Sequence, residues 1–398
     1  MQIYVRSIIV QSCLVSLFCG ALNCTEVHTN DNYLFKSYPA LKERVGYIAL
    51  GTLPTPIQKL EKIGSLVGHQ NLYIKEDNQS GSLFGGNKVR KLEFLFGDAL
   101  AHGAKGVLTV GYAGSNHTCA TAMYAHEIGL RCICMHLPQL PTAYARRNLL
   151  LSMAYGAELH LYETWAQRER AVRERNKVFK RETGTCLYFI ESGGSNEIGA
   201  LGFLNAVYEL KDQIAQGIMP EPDYIYVAIG SVGTAAGLIL GVRTVGLKSK
   251  VIPVCIEPEL FEGEHALKLS SLVRITSEVL HRIDPTFPLV DIKQSEIPMN
   301  YDFIGKGYAY ISPQVHEAMQ LFRTIEDIKL DGTYTGKACA AMMKDLMSGE
   351  LSDKVVLFWN SFCDRDYSEI TQGIDYKQLP QSYHQYFECA LQPGDEGL

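Results

Sequence analysis

One lysine in the chain follows a glycine pair at the predicted start of a helix. In the stretch SLFGGNKVRKLE the glycines permit a tight turn, Asn87 can cap, and a helix is predicted to begin near Val89. Lys88 therefore lies where the positive end of the helix dipole disfavours an ammonium group. A lysine that loses its proton easily can form a Schiff base, so Lys88 is a candidate nucleophile. A solvated surface lysine is the alternative interpretation.

Two polar turns each separate a predicted strand from a predicted helix. The sequence GYAGSNHT places Ser115 and Asn116 at the first turn, and ESGGSN at residues 191–196 forms the second. Free backbone N–H groups at a helix start can bind an anion, whereas simple N-capping explains the same residues equally well. We interpret His117 as a packing residue, because nothing in the sequence places a carboxylate beside it.

A glycine-rich loop between a strand and an apolar helix gives the strongest signal. It reads GSVGTAAG over residues 230–237. Glycines let an anion approach the backbone, and hydroxyl groups and helix N-terminal amides can donate to a phosphate. The loop matches neither the nucleotide P-loop nor the GxGxxG dinucleotide pattern, although Glu257 closes the next strand where a ribose-binding acid would lie. The pattern favours a phosphate site over a turn that merely requires glycines.

Two tyrosines occur in similar polar surroundings later in the chain. Tyr308 lies in GKGYAY, and Tyr334 lies in DGTYTGK directly before a predicted helix. A tyrosine can act as an acid or a base once its environment tunes it. Taken alone, each tyrosine fits amphipathic packing better, so both gain meaning only together with the other motifs.

The composition excludes several classes of protein. Of the 398 residues 46% are hydrophobic and 20% are charged, which is typical of globular domains and not of collagen, coiled coils or disordered chains. A net charge of -6 without a basic tract argues against a nucleic-acid partner. The 11 cysteines include no C-x-x-C pair, so we predict no metal site and interpret most of them as small buried hydrophobes.

Strands alternate with helices along most of the chain. Near-continuous apolar strands in this order predict parallel sheets covered on both faces, with ligands at the carboxyl ends of the strands. The stretch 258–312 shows no clear periodicity and is predicted to be an inserted loop. The predicted strands fall within 106–111, 131–136, 158–162, 185–190, 223–229, 251–256 and 354–359, and the predicted helices within 116–128, 143–155, 164–181, 198–214, 237–245 and 335–347.

The first 25 residues resemble a secretory signal or a membrane anchor. Arg6 precedes an uncharged run over residues 7–25 with an apolar centre. A disordered or misassigned start of a cytosolic protein is the alternative. The predicted location is therefore periplasmic or secreted if the signal is real, and cytoplasmic otherwise. Nothing later approaches the ~20 apolar residues of a further membrane span.

Together these motifs resemble the pyridoxal-phosphate enzymes of fold type II, and within them the D-cysteine desulfhydrase and 1-aminocyclopropane-1-carboxylate deaminase family. GGNKVRKLE, GSNHT, GSVGTAAG, GKGYAYIS and DGTYTGK occur in the family's order within residues 50–360. The resemblance implies two open, twisted, mostly parallel sheets with helices on both faces, similar to the tryptophan synthase β subunit. It also implies a homodimer, a small amino-acid substrate, a large cofactor-binding domain (26–95 and 206–398) and a small α/β domain (96–205).

The resemblance further implies how pyridoxal 5'-phosphate would be held. Lys88 would carry the cofactor covalently and move protons, Asn116 would bond to the ring hydroxyl, and Thr335 would face the pyridine nitrogen. The residues that would hold the cofactor's phosphate are Gly230, Ser231, Val232, Gly233 and Thr234.

On the substrate side, the resemblance implies roles for three hydroxyl groups. Ser115 would contact the substrate carboxylate or act as a base. Tyr308 and Tyr334 would line the substrate and assist proton transfer. The family's usual Gly-Tyr-Gly segment reads Gly307-Tyr308-Ala309 here, which is a departure from its pattern.

Two positions suggest which family reaction to expect. The deaminases carry Glu directly after the late tyrosine, where this chain has Thr335, and a carboxylate there would strengthen the electron sink. His117 after the Ser-Asn pair also resembles the desulfhydrases. We therefore predict α,β-elimination of D-cysteine to pyruvate, ammonia and hydrogen sulfide. The alternative is 1-aminocyclopropane-1-carboxylate deamination to 2-oxobutanoate and ammonia.

Two further classes of function remain open on the sequence. One is a nicotinamide-dependent oxidoreductase that uses the 230–237 loop and Glu257, against which the missing GxGxxG counts. The other is a catalytically silent binding protein with the same fold, against which an intact Lys88 argues.

Overall fold

The computed structural model describes residues 32–257, 269–392 and 394–395. The predicted signal or anchor in residues 1–25 lies outside them, as does the first part of the 258–312 stretch. The described strands are β1 (Ile57–Lys59), β2 (Leu72–Glu76), β3 (Gly106–Tyr112), β4 (Arg131–Leu137), β5 (Glu158–Leu161), β6 (Tyr188–Ile190), β7 (Tyr224–Ile229), β8 (Lys250–Cys255) and β9 (Val356–Asn360). The described α-helices are α1 (Tyr33–Ser37), α2 (Pro39–Lys42), α3 (Glu61–Val67), α4 (Asn87–Ala101), α5 (Asn116–Glu127), α6 (Ala143–Ala154), α7 (Trp165–Thr183), α8 (Glu197–Ala215), α9 (Gly233–Val245), α10 (Leu269–Ile283), α11 (Pro313–Glu326), α12 (Thr335–Met347), α13 (Ser368–Thr371) and α14 (Gln385–Glu388).

The strands form two sheets that are mostly parallel, as predicted. The larger sheet has five strands in the order β1-β2-β9-β7-β8, and only its edge pair, β1 with β2, is antiparallel. The smaller sheet has four parallel strands in the order β5-β4-β3-β6. The strands and helices predicted between residues 106 and 256 all form. The α/β fold class is therefore confirmed.

Both faces of the larger sheet are covered, which explains why its strands are apolar throughout. Along β9, Leu357 and Trp359 pack into the cluster formed with α8 and α9. Val356 and Phe358 point the other way, into the cluster formed with α11 and α12. All four side chains are fully buried. Alternate residues of one strand thus fill two separate cores.

The stretch predicted to be a loop contains a helix, and a second helix follows it. The helix α10 buries Leu269, Leu272, Val273 and Leu280 at helical spacing, so the stretch does have a periodic pattern. Polar residues interrupt its apolar face, since Thr276 and Ser277 are buried there too, and they hid the periodicity from sequence analysis. The expectation of an irregular insertion was therefore wrong for residues 269–283, and α11 was also missed.

The segment that follows β9 packs with the smaller sheet. Tyr383 and Tyr386 lie in the same buried cluster as Val107 of β3 and Cys132 of β4. The Tyr383 hydroxyl also lies 2.8 Å from Nδ1 of the buried His136 on β4. The predicted division into domains 26–95 with 206–398 and 96–205 stays a prediction. None of the described helices has the length and apolarity needed to cross a membrane.

Candidate active site

A cavity of about 900 Å³ lies at the carboxyl ends of strands from both sheets. Segments that follow β3, β6, β7, β8 and β9 line it, which is where open parallel sheets hold ligands. The structure brings together most of the predicted site residues: Lys88, Ser115, Asn116, Gly230, Ser231, Thr234, Tyr308 and Tyr334 line the cavity. Val232, Gly233 and Thr335 are buried and do not line it.

Lys88 is the second residue of α4, and its amine faces the cavity. Burial of the ammonium lowers the pKa of Lys88 to about 8, although the Asp331 carboxylate acts in the opposite direction. An appreciable fraction of the amine is therefore neutral at neutral pH, as a nucleophile or a proton acceptor requires.

The start of α4 is fixed by backbone contacts rather than by the expected cap. Gly86 is the N-cap, with φ of 83°, and a Cβ there would lie 2.7 Å from the Ser361 carbonyl oxygen. Asn87 is already helical, and its Nδ2 donates to Thr234 Oγ1 at 3.1 Å. The prediction that Asn87 caps the helix was wrong, because its side chain ties α4 to α9 instead.

A buried charge network holds α4 through Arg90, two residues after Lys88. Arg90 donates to Asp77 and Glu209, and Lys75 also donates to Glu209. Despite burial, Arg90 and Lys75 lower the pKa of Glu209 to about 2. Removing one partner would leave a buried charge unpaired, which typically costs about 3–5 kcal/mol. The network therefore holds α4 firmly in place under the cavity.

The glycine-rich loop contacts Ser195 of the second polar turn, and near both lies a lysine, Lys91, that sequence reasoning missed. Ser195 Oγ accepts a hydrogen bond from the Gly233 N–H at 3.0 Å, at the start of α9. Lys91 Nζ donates to the Gly193 carbonyl at 3.0 Å and lies 3.4 Å from Ser195 Oγ. Burial, and then the charge of Lys88, lower the pKa of Lys91 well below its ordinary value. Lys91 is the second lysine of GGNKVRK and lies about one helical turn after Lys88.

The two polar residues at the start of α5 have well-defined hydrogen-bonding roles. Ser115 Oγ accepts from the N–H groups of His117 (3.2 Å) and Thr118 (3.4 Å), as an N-cap does. Its own proton is therefore left to donate. Asn116 Oδ1 accepts from Asn148 Nδ2 at 2.8 Å, so Asn116 Nδ2 is left as a donor.

His117 lines the cavity as well as packing beneath it. In the described part of the chain, neither of its ring nitrogens has a hydrogen-bond partner. Burial, and then the charges of Lys88 and Lys91, lower the pKa of His117 well below its usual range. The imidazole is therefore neutral, and no carboxylate orients it as a base.

The two predicted tyrosines are in direct contact. The hydroxyl groups of Tyr308 and Tyr334 lie 2.7 Å apart, and the Tyr308 ring packs on Tyr112 with centroids 4.3 Å apart. Tyr112 donates to Glu257 Oε1 at 2.6 Å. Burial raises the pKa of both Tyr308 and Tyr334 well above the ordinary value. Both phenols thus keep their protons, which makes them acids rather than bases.

Thr335 lies directly against a carboxylate. Its hydroxyl donates to Asp331 Oδ1 at 2.7 Å and accepts from the Asp331 N–H at 2.9 Å. Asp331 also accepts from three N–H groups at the start of α12 and lines the cavity. Because the Thr335 hydroxyl already donates its hydrogen bond to Asp331, it can only accept a hydrogen bond from any other group.

Comparisons with known proteins agree on one family. The sequence pattern described as "Pyridoxal-phosphate dependent enzyme" matches residues 48–361. Two relatives are named "Putative 1-aminocyclopropane-1-carboxylate deaminase". The one from Pyrococcus abyssi is 33% identical over 320 residues, covering 80% of this chain and 92% of the relative. The one from Thermotoga maritima is 33% identical over 323 residues, covering 78% and 94%.

Solved structures give the same result for the fold. A crystal structure described as that of an ACC deaminase homologue has a TM-score of 0.71 and 32% identity, covering 84% of this chain and 96% of that chain. A serine racemase from Dictyostelium discoideum, at 18% identity, matches with a TM-score of 0.54 and covers 84% of this chain and 98% of its own. At that identity the second similarity concerns the fold alone.

Proposed function

The chain belongs to the family of pyridoxal-phosphate dependent enzymes, with their type II fold and their cofactor, and from this premise we propose that it is a lyase that deaminates a small α-amino acid. The observation that carries the proposal is the position of Lys88, whose amine faces the cavity with its pKa lowered to about 8. Ser115 and the Tyr308–Tyr334 pair line the same cavity.

The donors around the cavity fit a group with an aldehyde, a ring oxygen and a phosphate. The Lys88 amine would form the covalent link, and Asn116 Nδ2 would donate to the ring oxygen. The 230–234 loop and the N-terminal end of α9 would hold the phosphate, with the Lys91 amine as a nearby hydrogen-bond donor. When bound, the cofactor supplies an electron sink for bonds broken at the substrate's α-carbon.

The protein's own groups then perform the proton transfers. Lys88 would take the α-proton, since its amine lies at the cavity wall and is readily deprotonated. We assign the Ser115 hydroxyl to the substrate carboxylate rather than to the role of base, because its proton is left to donate. In the Tyr308–Tyr334 pair one phenol donates to the other, which leaves one proton for the substrate.

D-cysteine is the first candidate substrate. Its elimination and hydrolysis consume one water and give pyruvate, ammonia and hydrogen sulfide. The departing thiolate needs a proton, and the protonated tyrosine pair can supply it. Thr335, where the deaminases carry Glu, was the sequence reason for this choice.

1-Aminocyclopropane-1-carboxylate is the second candidate, and the names of the relatives favour it over D-cysteine. Its deamination consumes one water and gives 2-oxobutanoate and ammonia. A structural observation also supports it. The Asp331 carboxylate lies directly behind the Thr335 hydroxyl, so a hydroxyl at this position does not imply a weakly charged environment for the ring nitrogen.

A substrate panel tests the proposal. Cofactor-loaded protein is incubated with D-cysteine, L-cysteine, D-serine, chloro-D-alanine and 1-aminocyclopropane-1-carboxylate, and keto acids and sulfide are quantified. Equal amounts of pyruvate and sulfide from D-cysteine support the first candidate, and 2-oxobutanoate supports the second. Loaded protein that forms no keto acid from any of these would contradict a deaminating lyase.

A further inference from the structure

A second lysine beside the cavity has a different environment from Lys88. Lys337, in the first turn of α12, is 0% exposed. Its ammonium donates to three backbone carbonyl oxygens, those of Ile304 (2.7 Å), Gly307 (3.0 Å) and Ile256 (3.2 Å). In the described part of the chain it forms no salt bridge. A cation surrounded by carbonyl dipoles in this way resembles a metal cation held by oxygen ligands.

Two of these carbonyls, those of Ile304 and Gly307, belong to an irregular segment, whereas Ile256 directly follows β8. Residues 301–312 form neither a helix nor a strand, and three of them have positive φ: Gly305 at 66°, Gly307 at 123° and Ala309 at 61°. Apart from Lys337, this segment is tethered by Gln392, which bonds to Ala309 and Ile311, and by Lys344, which donates to Asp302. Such a backbone needs tertiary contacts to keep one conformation.

Two of the three carbonyls directly precede cavity residues. Gly307 is followed by Tyr308, and Ile256 by Glu257. We propose that the Lys337 ammonium is a built-in cation that draws these carbonyls together and so positions Tyr308 against Tyr334. Lys337 is a positioning residue, since it acts through Tyr308. The inference rests on the proposed function only in giving Tyr308 a catalytic task.

Chemical rescue tests the proposal. Lys337→Ala leaves room among the carbonyls, so its kcat should fall about 10–100-fold and recover about tenfold in ~0.1 M methylammonium chloride. Tetramethylammonium chloride, which cannot donate hydrogen bonds, should have no effect. Lys337→Met keeps the hydrocarbon chain and blocks the site, so it should lose activity without rescue.

The rescue also has a readout that needs no catalysis. The melting temperature of cofactor-loaded Lys337→Ala should rise with methylammonium and not with tetramethylammonium, whereas the parent should respond equally to both. If the panel detects no lyase activity but this difference appears, the cation role stands and the proposed function fails. If the two salts act alike on both kcat and melting temperature, the cation role is wrong.

Lys344→Ala is the matched control. Lys344 lies on the same helix and contacts the same segment through Asp302 at 2.6 Å, but its side chain is 59% exposed. Its loss should change kcat less than about twofold, since exposed ion pairs contribute little. If Lys337→Ala fails to fold, its purification in methylammonium decides the point. Recovery of folded protein only with that cation supports the proposal, and full activity of Lys337→Met overturns it.

Discussion

The two walls of the cavity are built from different kinds of structure. The cofactor wall, formed by Lys88, Asn116 and the 230–234 loop, consists of the starts of three long helices. The substrate wall is formed by the 301–312 segment and Tyr334, which lie outside the described helices and strands. The cofactor wall therefore depends on regular elements, and the substrate wall depends on side-chain tethers. We infer that the substrate wall can change without disturbing the cofactor wall.

Loss of Lys88 should have the largest effect, because Lys88 both links the cofactor and takes the α-proton of the substrate. Lys88→Ala removes the covalent link and the base, so keto acid formation should fall by more than about 10³-fold. The absorption of bound cofactor should disappear from the visible spectrum. Lys59→Ala, at an exposed lysine, is the control and should keep the parent rate. Parent-rate turnover by Lys88→Ala would refute the assignment.

Tyr308→Phe should affect the substrate wall alone. Without the phenolic proton, kcat should fall about 10–100-fold. The cofactor should remain bound through dialysis, since no group of the cofactor wall has changed. Steady-state kinetics and the visible spectrum measure the two effects separately. If the variant instead released cofactor and kept its kcat, Tyr308 would belong to the cofactor wall and not to the substrate wall.

Lys91→Met should show the opposite pattern. A hydrogen bond to a charged group contributes about 1.5–3 kcal/mol, so loss of the Lys91 amine as a donor to the phosphate should weaken cofactor affinity at least about tenfold. At saturating cofactor, kcat should remain near that of the parent. Titration of the apoprotein measures the affinity, with exposed Lys105→Met as the control. Equal affinities of Lys91→Met and the control would argue against a phosphate site at this end of the cavity.

The pH dependence of cofactor capture should report Lys88 directly. The neutral amine is the nucleophile, and its pKa is lowered to about 8. Capture by apoprotein should therefore be slow below pH 8, rise about tenfold between pH 7 and 9, and then level off. A rate that keeps rising towards pH 10.4, the pKa of an ordinary lysine, would show that Lys88 is solvated. Stopped-flow absorbance follows the reaction.

Ala309→Gly should have the smallest effect. Ala309 has φ of 61°, a left-handed conformation that an L-residue adopts at a cost of about 1–2 kcal/mol. Glycine removes that strain but adds disorder to the unfolded chain, so the free energy of unfolding should rise by at most about 1 kcal/mol. Denaturant titration measures it. A loss of stability would mean that the Ala309 methyl group, which is buried, contributes more by packing than its backbone strain costs.

The cofactor wall was the part that sequence could predict. Lys88, Asn116 and the 230–234 loop each occur in a short pattern of glycine and polar residues between two elements, and such patterns are local. Their convergence followed from one rule, that parallel strands end at the same edge of a sheet. A local pattern also placed Asn87 at the start of a helix. Its side chain bonds to Thr234, which is distant in sequence, so the prediction that Asn87 caps the helix was wrong.

The residues that sequence analysis missed depend on contacts between distant parts of the chain. Lys91 meets Gly193 across 102 positions, and Lys337 meets Ile256 across 81. No local pattern marks either lysine as buried, because basic residues are usually exposed. Asp331 was missed for another reason. It precedes Thr335 in the same motif, yet only the folded turn shows that their side chains bond.

The packing of the segment after β9 against the smaller sheet has a consequence for synthesis on the ribosome. The strands of that sheet are translated early, but the cluster that contains them is completed by Tyr383 and Tyr386. Since chains emerge from the N-terminal end first, the apolar surface of that cluster stays open until residues 383 and 386 have been translated. A nascent chain stalled or cut short before residue 383 would expose this surface to chaperones and proteases.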